Sequence, residues 1–310
     1  MYKGLTVTAV VPAYNEEVLI AKTISTMPEI VDHIVVVDDA STDETAKRVA
    51  EVGDPRVTLV RHDANTGVGG AIVTGHRVTL ESDSDVNVVM AGDAQMDPDY
   101  LPALLDPIAD DGYGFTKANR FFARSGLTGM PLNRLLGSTV LSFATKLASG
   151  YWNLFDPQNG YTAITRESLS RIPLDRLATG YAFENDLLIW LNIAGVRAKD
   201  VPIPAVYGQE VSGMRLHRVV PQISRLLVFG FWRRILRRYV VPSFSPIALM
   251  LFTGLFLCAV GTVVGIWVSL HSLGTATASA GSVLLAVGPL LVGINMLVHA
   301  LTLDIQATPD

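Results

Sequence analysis

The amino-acid sequence predicts an α/β domain built on a largely parallel sheet with helices on both faces, followed by a membrane-embedded tail. Short β-branched strands alternate with helical segments before residue 215, and polar turns follow several of those strands. Strands and helices that alternate at this spacing form a parallel sheet. No Asp, Glu, Lys or Arg lies between Arg238 and Asp304. That stretch can hold two bilayer-spanning helices, because each needs ~20 apolar residues.

The predicted strands are short apolar runs, the pattern of strands buried in a sheet. Several of them end in acidic or glycine-rich turns. Because ligands bind at the carboxyl ends of strands in open parallel sheets, those turns are the candidate binding site. The predicted strands are Thr6–Val11, His33–Val37, Val57–Val60, Val86–Met90, Tyr113–Lys117, Tyr161–Thr165 and Arg197–Ile203.

The predicted helices have an apolar side and begin at capping residues. Ser41 and Glu44 have the spacing of a capping box, with Ser41 as the N-cap. Asp97 followed by Pro98 is a typical helix start. The predicted helices are Glu16–Met27, residues 41–52, Gly69–Leu80, a helix that starts at Asp97, Leu132–Ser149 and Glu184–Ala194.

The tail is predicted to lie on and in a membrane. Val219–Tyr239 mixes arginines with Leu, Val, Phe and Trp, which favours a helix at a membrane surface. The alternative is an ordinary amphipathic helix packed on the domain. Pro246–Leu270 and Ser282–Leu303 are the predicted spans, and a buried helical hairpin in a soluble core is their alternative. Under the positive-inside rule the arginines and the α/β domain stay cytoplasmic.

These patterns divide the chain into three regions: a domain over residues 1–215, an interfacial helix over residues 216–240 and a two-span hairpin over residues 241–310. The net charge of −5 argues against nucleic acid as a partner. Cys258 is the only cysteine, which excludes an internal disulfide and a cysteine-rich metal site. Nothing in the sequence determines the oligomeric state.

The first two strands end in turns that suit a nucleoside. After the first strand, the Tyr14 ring can stack on a base, and a nearby carboxylate can accept a base N–H; the alternative is a strand–helix turn capped by Asn15. After the second, Asp38 and Asp39 are adjacent acids, whose repulsion is relieved if they bind a ribose diol or a base edge. Helix capping by Asp39 and Ser41 is the alternative there.

Two further turns suit a diphosphate. Residues 65–71 (Asn-Thr-Gly-Val-Gly-Gly-Ala) allow close approach of the backbone and present a helix N-terminus. They lack the Gly-Lys-Ser/Thr of a Walker loop and the glycine spacing of a dinucleotide-binding fold. Asp93 and Gln95 follow the fourth strand, where a divalent cation that bridges a diphosphate requires hard oxygen ligands.

Together, and in this order, the four turns resemble those of the family 2 inverting glycosyltransferases of GT-A fold, over residues 5–215. Within that family the chain is most similar to polyprenyl-phosphate hexosyltransferases such as dolichyl-phosphate mannose synthase. Residues 156–163 (Asp-Pro-Gln-Asn-Gly-Tyr-Thr-Ala), 183–188 (Phe-Glu-Asn-Asp-Leu-Leu) and 208–215 (Gly-Gln-Glu-Val-Ser-Gly-Met-Arg) carry this closer resemblance.

The resemblance implies an inverting transfer of a hexose from a nucleotide diphosphate sugar to a polyprenyl phosphate, with Mg²⁺ or Mn²⁺. GDP-mannose is the favoured donor, and UDP-glucose also fits. The implied donor-binding residues are Pro12, Tyr14, Glu16, Asp38, Asp39, Asp93, Gln95 and Arg120, of which Asp93 and Gln95 hold the metal. Arg134, Ser212 and Arg215 are implied to bind the acceptor phosphate, and Asp93, Asp156 and Asp186 are the catalytic candidates.

The chain departs from the family pattern at two places. Ala91 stands where the acidic box usually has an Asp, and Tyr161-Thr162 replaces a Phe-Arg pair. Two other functions therefore stay open. One is glycosylation of another membrane lipid or of a polysaccharide, although the Gln-x-x-Arg-Trp motif of processive synthases is missing. The other is a non-catalytic membrane subunit that binds nucleotide sugars.

Overall fold

Seven strands form a mixed sheet in the computed structural model, which describes residues 1–120, 132–157, 159–204, 216–273 and 277–309. The strands are β1 Val7–Ala13, β2 His33–Asp38, β3 Val57–Arg61, β4 Val86–Val89, β5 Phe115–Asn119, β6 Thr162–Thr165 and β7 Ala198–Pro202. Their order across the sheet is β3-β2-β1-β4-β6-β5-β7. All seven predicted strands overlap these within two residues at each end; the fifth, predicted as Tyr113–Lys117, begins and ends two residues later.

The sheet is mostly parallel, as predicted. Strand β1 lies between β2 and β4 and is parallel to both. Strand β6 is antiparallel to its neighbours β4 and β5, with Lys117 of β5 opposite Thr162. Strand β5 is therefore an interior strand, between β6 and the parallel strand β7.

Ten α-helices are found in the described residues. They are α1 Ile20–Ser25, α2 Thr45–Val52, α3 Val68–Leu80, α4 Leu101–Asp111, α5 Leu132–Ser149, α6 Arg166–Ser170, α7 Phe183–Ile193, α8 Leu216–Arg234, α9 Pro246–Ser272 and α10 Ala280–Gln306. A π-helical stretch, Ile235–Val240, follows α8.

The predicted helix starts have mixed outcomes. The capping box at Ser41 is wrong: α2 begins at Thr45, and its N-cap residue Glu44 makes no side-chain capping bond. The Ser41 hydroxyl instead accepts a hydrogen bond from the Asn15 N–H at 2.9 Å, which ties the turn after β2 to the turn after β1. The start at Asp97 is confirmed, because its side chain accepts the Asp99 N–H at 3.0 Å in the 3-10 turn that leads into α4.

Helices cover both faces of the sheet. On one face, Ile20 and Ile24 of α1 and Leu104 of α4 pack with the buried valines of β1, β2 and β4. On the other face, Ile72 of α3 and Leu187 of α7 belong to a second apolar cluster with β5 and β6 side chains. This layered arrangement aligns the carboxyl ends of β1, β2 and β4 along one edge, which is the ligand-binding edge of such folds.

Apart from its last two residues, the chain separates into two compact units, Met1–Trp232 and Arg233–Thr308. Within the first unit, Val219, Ile223 and Leu227 of α8 are buried against Ile189 and Ala148. Another side of α8 exposes large apolar side chains: Val220, Val228 and Phe229 are more than half exposed. Helix α8 thus packs on the domain by one side and keeps an apolar outer side. The predicted three-region division stays a prediction.

The second unit is an antiparallel pair of long helices. A Cβ on Gly254 of α9 would lie 2.9 Å from the Gly293 carbonyl oxygen of α10, and one on Gly261 would lie 2.6 Å from Leu290 Cγ. Both helices are long and apolar enough to cross a membrane, as predicted. At the ends of the pair, the buried Arg234 guanidinium contacts both carboxylate oxygens of Asp304, at 2.6 and 2.9 Å. The Tyr239 hydroxyl donates to the same carboxylate at 2.7 Å.

Candidate functional site

The turns that follow β1, β2 and β4 are bonded to one another. The Asp39 N–H donates to the Ala13 carbonyl at 2.9 Å, and the Gly92 N–H donates to the Pro12 carbonyl at 3.1 Å. These two bonds bring together three of the four turns in which the sequence places the donor site, and bonds from the glycine-rich loop to Asp39 bring in the fourth.

Each of these turns holds a non-glycine residue in the left-handed region. Asn15 has φ 57° after β1, Ala40 has φ 60° after β2, and Ala94 has φ 54° after β4. This conformation costs an L-residue roughly 1–2 kcal/mol. Such strain persists where the surrounding structure enforces it, and it clusters at ligand sites. Three instances at one edge of the sheet mark that edge as the functional one.

Asp39 fixes the glycine-rich loop. Its carboxylate accepts hydrogen bonds from the Thr66 N–H at 2.8 Å, the Thr66 hydroxyl at 2.9 Å and the Gly67 N–H at 2.8 Å. The His62 Nδ1 lies 2.7 Å from the same carboxylate. Burial alone would raise the pKa of Asp39, but these bonds hold it below its usual value. Asp39 therefore places the loop that precedes α3.

Asp38 is also satisfied by the protein. It is buried, accepts the Ser41 N–H at 2.9 Å and pairs with the Arg61 Nε at 2.9 Å. Hydrogen-bond donors of the protein thus relieve the repulsion between the two acids. From the sequence, a bound ligand is expected to relieve it. Asp38 and Asp39 as nucleoside ligands stay a prediction.

The other predicted nucleoside residues lie around these acids. Tyr14 is 48% exposed, so its ring is available for stacking. Pro12 is a buried residue of β1 opposite Val37. Glu16 is partly exposed, and its N–H donates to the Thr45 hydroxyl at 2.8 Å.

Asp93 and Gln95 lie in the turn after β4. The Asp93 Oδ1 accepts the Gln95 N–H at 3.1 Å, and burial raises the pKa of Asp93. The described residues contain no group of three or more His, Cys, Asp or Glu that could hold a metal by themselves. A Mg²⁺ ion, however, is usually held by one or two carboxylates, substrate phosphates and waters. Asp93 and Gln95 fit such a shared site, in which the diphosphate completes the coordination.

Arg120 and Asp156 form a bidentate pair. The Arg120 Nε lies 2.7 Å from Asp156 Oδ2, and its second nitrogen lies 3.1 Å from Oδ1. Burial would raise the pKa of Asp156, but Arg120 and the nearby Lys117 charge hold it below its usual value. Asp156 thus orients Arg120, whose side chain is 40% exposed. The geometry favours a positioning role for Asp156 over the catalytic role predicted for it.

Asp186 lies on α7 and holds a neighbouring loop. Its Oδ2 accepts the Ala178 N–H at 3.0 Å, and its side chain is buried. The next residue, Thr179, accepts the Gly70 N–H at 3.1 Å, and its carbonyl oxygen would lie 2.6 Å from a Cβ on Gly67. Asp186 therefore supports the outer side of the glycine-rich loop, and its catalytic role stays a prediction.

Two residues that the sequence interpretation missed lie beside these groups. Lys117 of β5 and Glu184 of α7 line a cavity of about 10 Å³ together with Asn159, Gly160 and Thr162. Burial raises the pKa of Glu184 to about 7. A lysine within a predicted strand was the available signal for Lys117, and Glu184 lies in the 183–188 segment that also contains Asp186.

The predicted acceptor-phosphate residues are located only in part. Arg134 lies in α5, and its side chain is outside the described part of the structure. Ser212 and Arg215 also lie outside the described residues. Their roles stay predictions.

Comparison with known proteins identifies the family. Residues 8–172, just over half of the chain, match the model for glycosyl transferase family 2. The chain belongs to glycosyl transferase family 2 and is a glycosyltransferase.

Curated relatives extend the comparison. Undecaprenyl-phosphate mannosyltransferase of Micrococcus luteus is 30% identical over 239 residues, which cover 73% of this chain and 96% of that protein. UDP-N-acetylglucosamine–dolichyl-phosphate N-acetylglucosaminyltransferase of Methanococcus voltae is 29% identical over 213 residues, which cover 64% of this chain and 84% of that protein. The two names share a polyprenyl phosphate and differ in the sugar.

A solved structure confirms the GT-A fold. Glucosyl-3-phosphoglycerate synthase from Mycobacterium tuberculosis, in complex with Mg²⁺ and UDP, superposes with a TM-score of 0.56 at 23% identity. The match covers 74% of this chain and 79% of that chain. Other structures of that synthase hold Mn²⁺ with UDP-glucose. At this identity the likeness shows the fold.

Proposed function

We propose that this protein is a membrane-bound polyprenyl-phosphate glycosyltransferase that moves a hexose from a nucleotide diphosphate sugar, with inversion. Family membership supports glycosyl transfer. The lipid acceptor rests on one observation: the domain with the donor turns is continuous with two apolar helices, α9 and α10, that are long enough to span a bilayer. Two relatives named for transfer to undecaprenyl and dolichyl phosphate support the same acceptor class.

The donor occupies the edge formed by the turns after β1, β2 and β4. Tyr14 stacks on the base, and the loop held by Asp39 places the N-terminus of α3 near the diphosphate. Asp93 and Gln95 would hold Mg²⁺ or Mn²⁺, and the ion would neutralise charge on the leaving diphosphate. Arg120, oriented by Asp156, supplies a further cation to a donor phosphate. GDP-mannose remains the favoured donor, with UDP-glucose and UDP-N-acetylglucosamine as the competing candidates.

The acceptor phosphate, which is the nucleophile, then needs little activation by the protein. An oxygen of the acceptor phosphate attacks the anomeric carbon, the bond from that carbon to the diphosphate oxygen breaks, and the nucleoside diphosphate leaves. When the acceptor enters as a monoanion, its proton passes to the Glu184 carboxylate. A base whose pKa is about 7 suits this transfer at neutral pH.

The tail brings the site to its acceptor. Confining the domain to the bilayer surface raises the effective concentration of a lipid phosphate. The exposed Val228 and Phe229 of α8, flanked by arginines, suit contact with an anionic headgroup layer. The arginines before α9 favour a cytoplasmic domain.

Labelled donors test this proposal. Membranes that contain the protein are incubated with radiolabelled GDP-mannose, UDP-glucose or UDP-N-acetylglucosamine, with Asp93→Ala membranes as the matched control. The proposal expects label from one donor in an organic-extractable, mild-acid-labile lipid, and none with the control. Donor binding without any turnover would instead favour the non-catalytic subunit, which Ala91 suggests.

A further inference from the structure

Lys117 places an ionisable amine where the fold needs none. It lies in the middle of the interior strand β5, and its side chain is 1% exposed. No described residue lies within hydrogen-bond distance of its Nζ. Burying an ammonium costs several kcal/mol unless an opposite charge compensates it. A methionine would fill the same space without that cost, so the charge itself requires an explanation.

Burial lowers the pKa of Lys117; the charges of Asp156, Asp200 and Glu184 act to raise that pKa, and the charge of Arg120 acts to lower it. Asp156 is already held by Arg120 through both oxygens. Asp200 accepts the Asn119 amide at 2.6 Å and the Phe155 N–H at 2.7 Å through its Oδ2, and its Oδ1 is buried without a hydrogen bond to a described residue. Glu184 is the carboxylate that lines the same cavity as Lys117.

The residues around the cavity link Lys117 to the sheet edge that carries the donor turns. Its volume of about 10 Å³ has room for about one water molecule. A Cβ on Gly160, which also lines it, would lie 3.9 Å from Glu184 Oε1 and 3.5 Å from Met96 Cε. The Met96 sulfur accepts the Ala91 N–H at 3.2 Å. The Glu184 carboxylate is therefore one layer of residues from the turn that carries Asp93, with Lys117 on its inner side.

We propose that Lys117 is a positioning residue: across this cavity, its buried ammonium holds the Glu184 side chain in place and favours its ionised form. A single water in the cavity can bridge the two groups. The catalytic consequence rests on the proposed function, in which Glu184 takes the acceptor proton. Lys117 is the charged group that acts to lower the pKa of Glu184 against the raising effect of burial.

Lys117→Met in the full-length protein tests the pairing through the pH dependence of transfer. Activity that requires ionised Glu184 rises with pH, so loss of the Lys117 charge moves that rise to higher pH, by about one unit or more. Turnover of the variant then recovers toward the wild-type value above the new midpoint. A purely structural role would lower turnover equally at every pH. Asp200→Asn is the matched control and leaves the midpoint in place.

A second readout does not depend on turnover. Carbon-13 labelling of glutamate carboxyls, with Glu184 assigned by its loss in Glu184→Gln, follows the titration of that group by NMR. The proposal expects a higher midpoint in both Lys117→Met and Lys117→Gln. An unchanged midpoint in either folded variant, or an equal shift in Asp200→Asn, overturns it. A shifted NMR midpoint in a protein that transfers no sugar supports the pairing and rejects the proposed function alone.

Discussion

Replacement of Asp39 by Asn tests whether this residue fixes the glycine-rich loop. In the structure one carboxylate oxygen receives the Thr66 N–H and hydroxyl, and the other receives the Gly67 N–H at 2.8 Å. An asparagine preserves the shape and one acceptor. Its NH₂ group then faces the Gly67 N–H, so two donors oppose each other, while the Asn65 Oδ1 still accepts the Gly67 N–H at 3.1 Å.

The expected loss follows from these contacts. Hydrogen bonds to a charged group contribute ~1.5–3 kcal/mol, and the bonds that remain weaken because charge-assisted bonds are roughly twice as strong as neutral ones. Asp39→Asn should therefore reduce the free energy of unfolding by about 1.5–3 kcal/mol. Asp175→Asn is the control, because that carboxylate is 84% exposed and its pair with Arg77 contributes ~0–1 kcal/mol.

The effect should also depend on pH. Because the pKa of Asp39 is lower in the folded protein, its stabilisation is complete above the unfolded value near 3.8. The stabilisation is lost as the pH falls through the folded value, so the wild type and Asp39→Asn should converge in acid.

Denaturation in detergent measures the stability of the variant, and calorimetry measures its binding of a nucleoside diphosphate. We expect lower stability and weaker binding in Asp39→Asn. Unchanged stability with lost binding would refute the loop-fixing argument, because it would mean that Asp39 serves the ligand alone.

Four further predictions concern the acidic turn and the tail. Asp93→Ala should lower transfer by about two orders of magnitude or more with an unchanged circular dichroism spectrum, since it removes the metal-binding carboxylate; wild-type turnover would exclude that role. Ala91→Asp should keep or raise metal-dependent transfer because it adds a hard ligand; complete loss at saturating Mg²⁺ would show that the turn requires a small residue. Deletion of residues 241–310 should preserve donor binding and impair transfer to membrane lipid, with rescue by a soluble short-chain polyprenyl phosphate; equal activity on membranes would contradict tethering. Asp304→Asn should destabilise the helical pair by about 3–5 kcal/mol, whereas replacing Asp304 and Arg234 together by Leu and Met should cost far less; equal thermal stability of the single variant and the wild type would refute this.

The alternation of strands and helices was predictable because it is local. The β-branched runs indicate strands whichever neighbours they later acquire, and a polar turn after a parallel strand lies at the ligand edge. The antiparallel direction of β6 was not predictable, because the pattern of residues 161–165 has no direction of its own.

The sequence predicts the residue types of the site better than it predicts their roles. Asp39 is where the motif places it, yet its partners, Thr66 and Gly67, lie 27 and 28 residues away along the chain. Ser41 has the local spacing of a cap, but the Asn15 N–H from another turn takes its hydroxyl. Such long-range bonds override local preference. Lys117 was missed because its burial becomes evident only when β5 is known to be an interior strand.

A comparison of two acceptors tests the central claim, that this glycosyltransferase acts on a phosphate-bearing lipid. The purified protein is given its donor with a short-chain polyprenyl phosphate or with the same polyprenol without the phosphate, and the glycosylated product is measured by mass spectrometry. The proposed mechanism predicts a polyprenyl-phosphate sugar and no product from the polyprenol. Equal transfer to the polyprenol would contradict a phosphate nucleophile and favour another membrane acceptor.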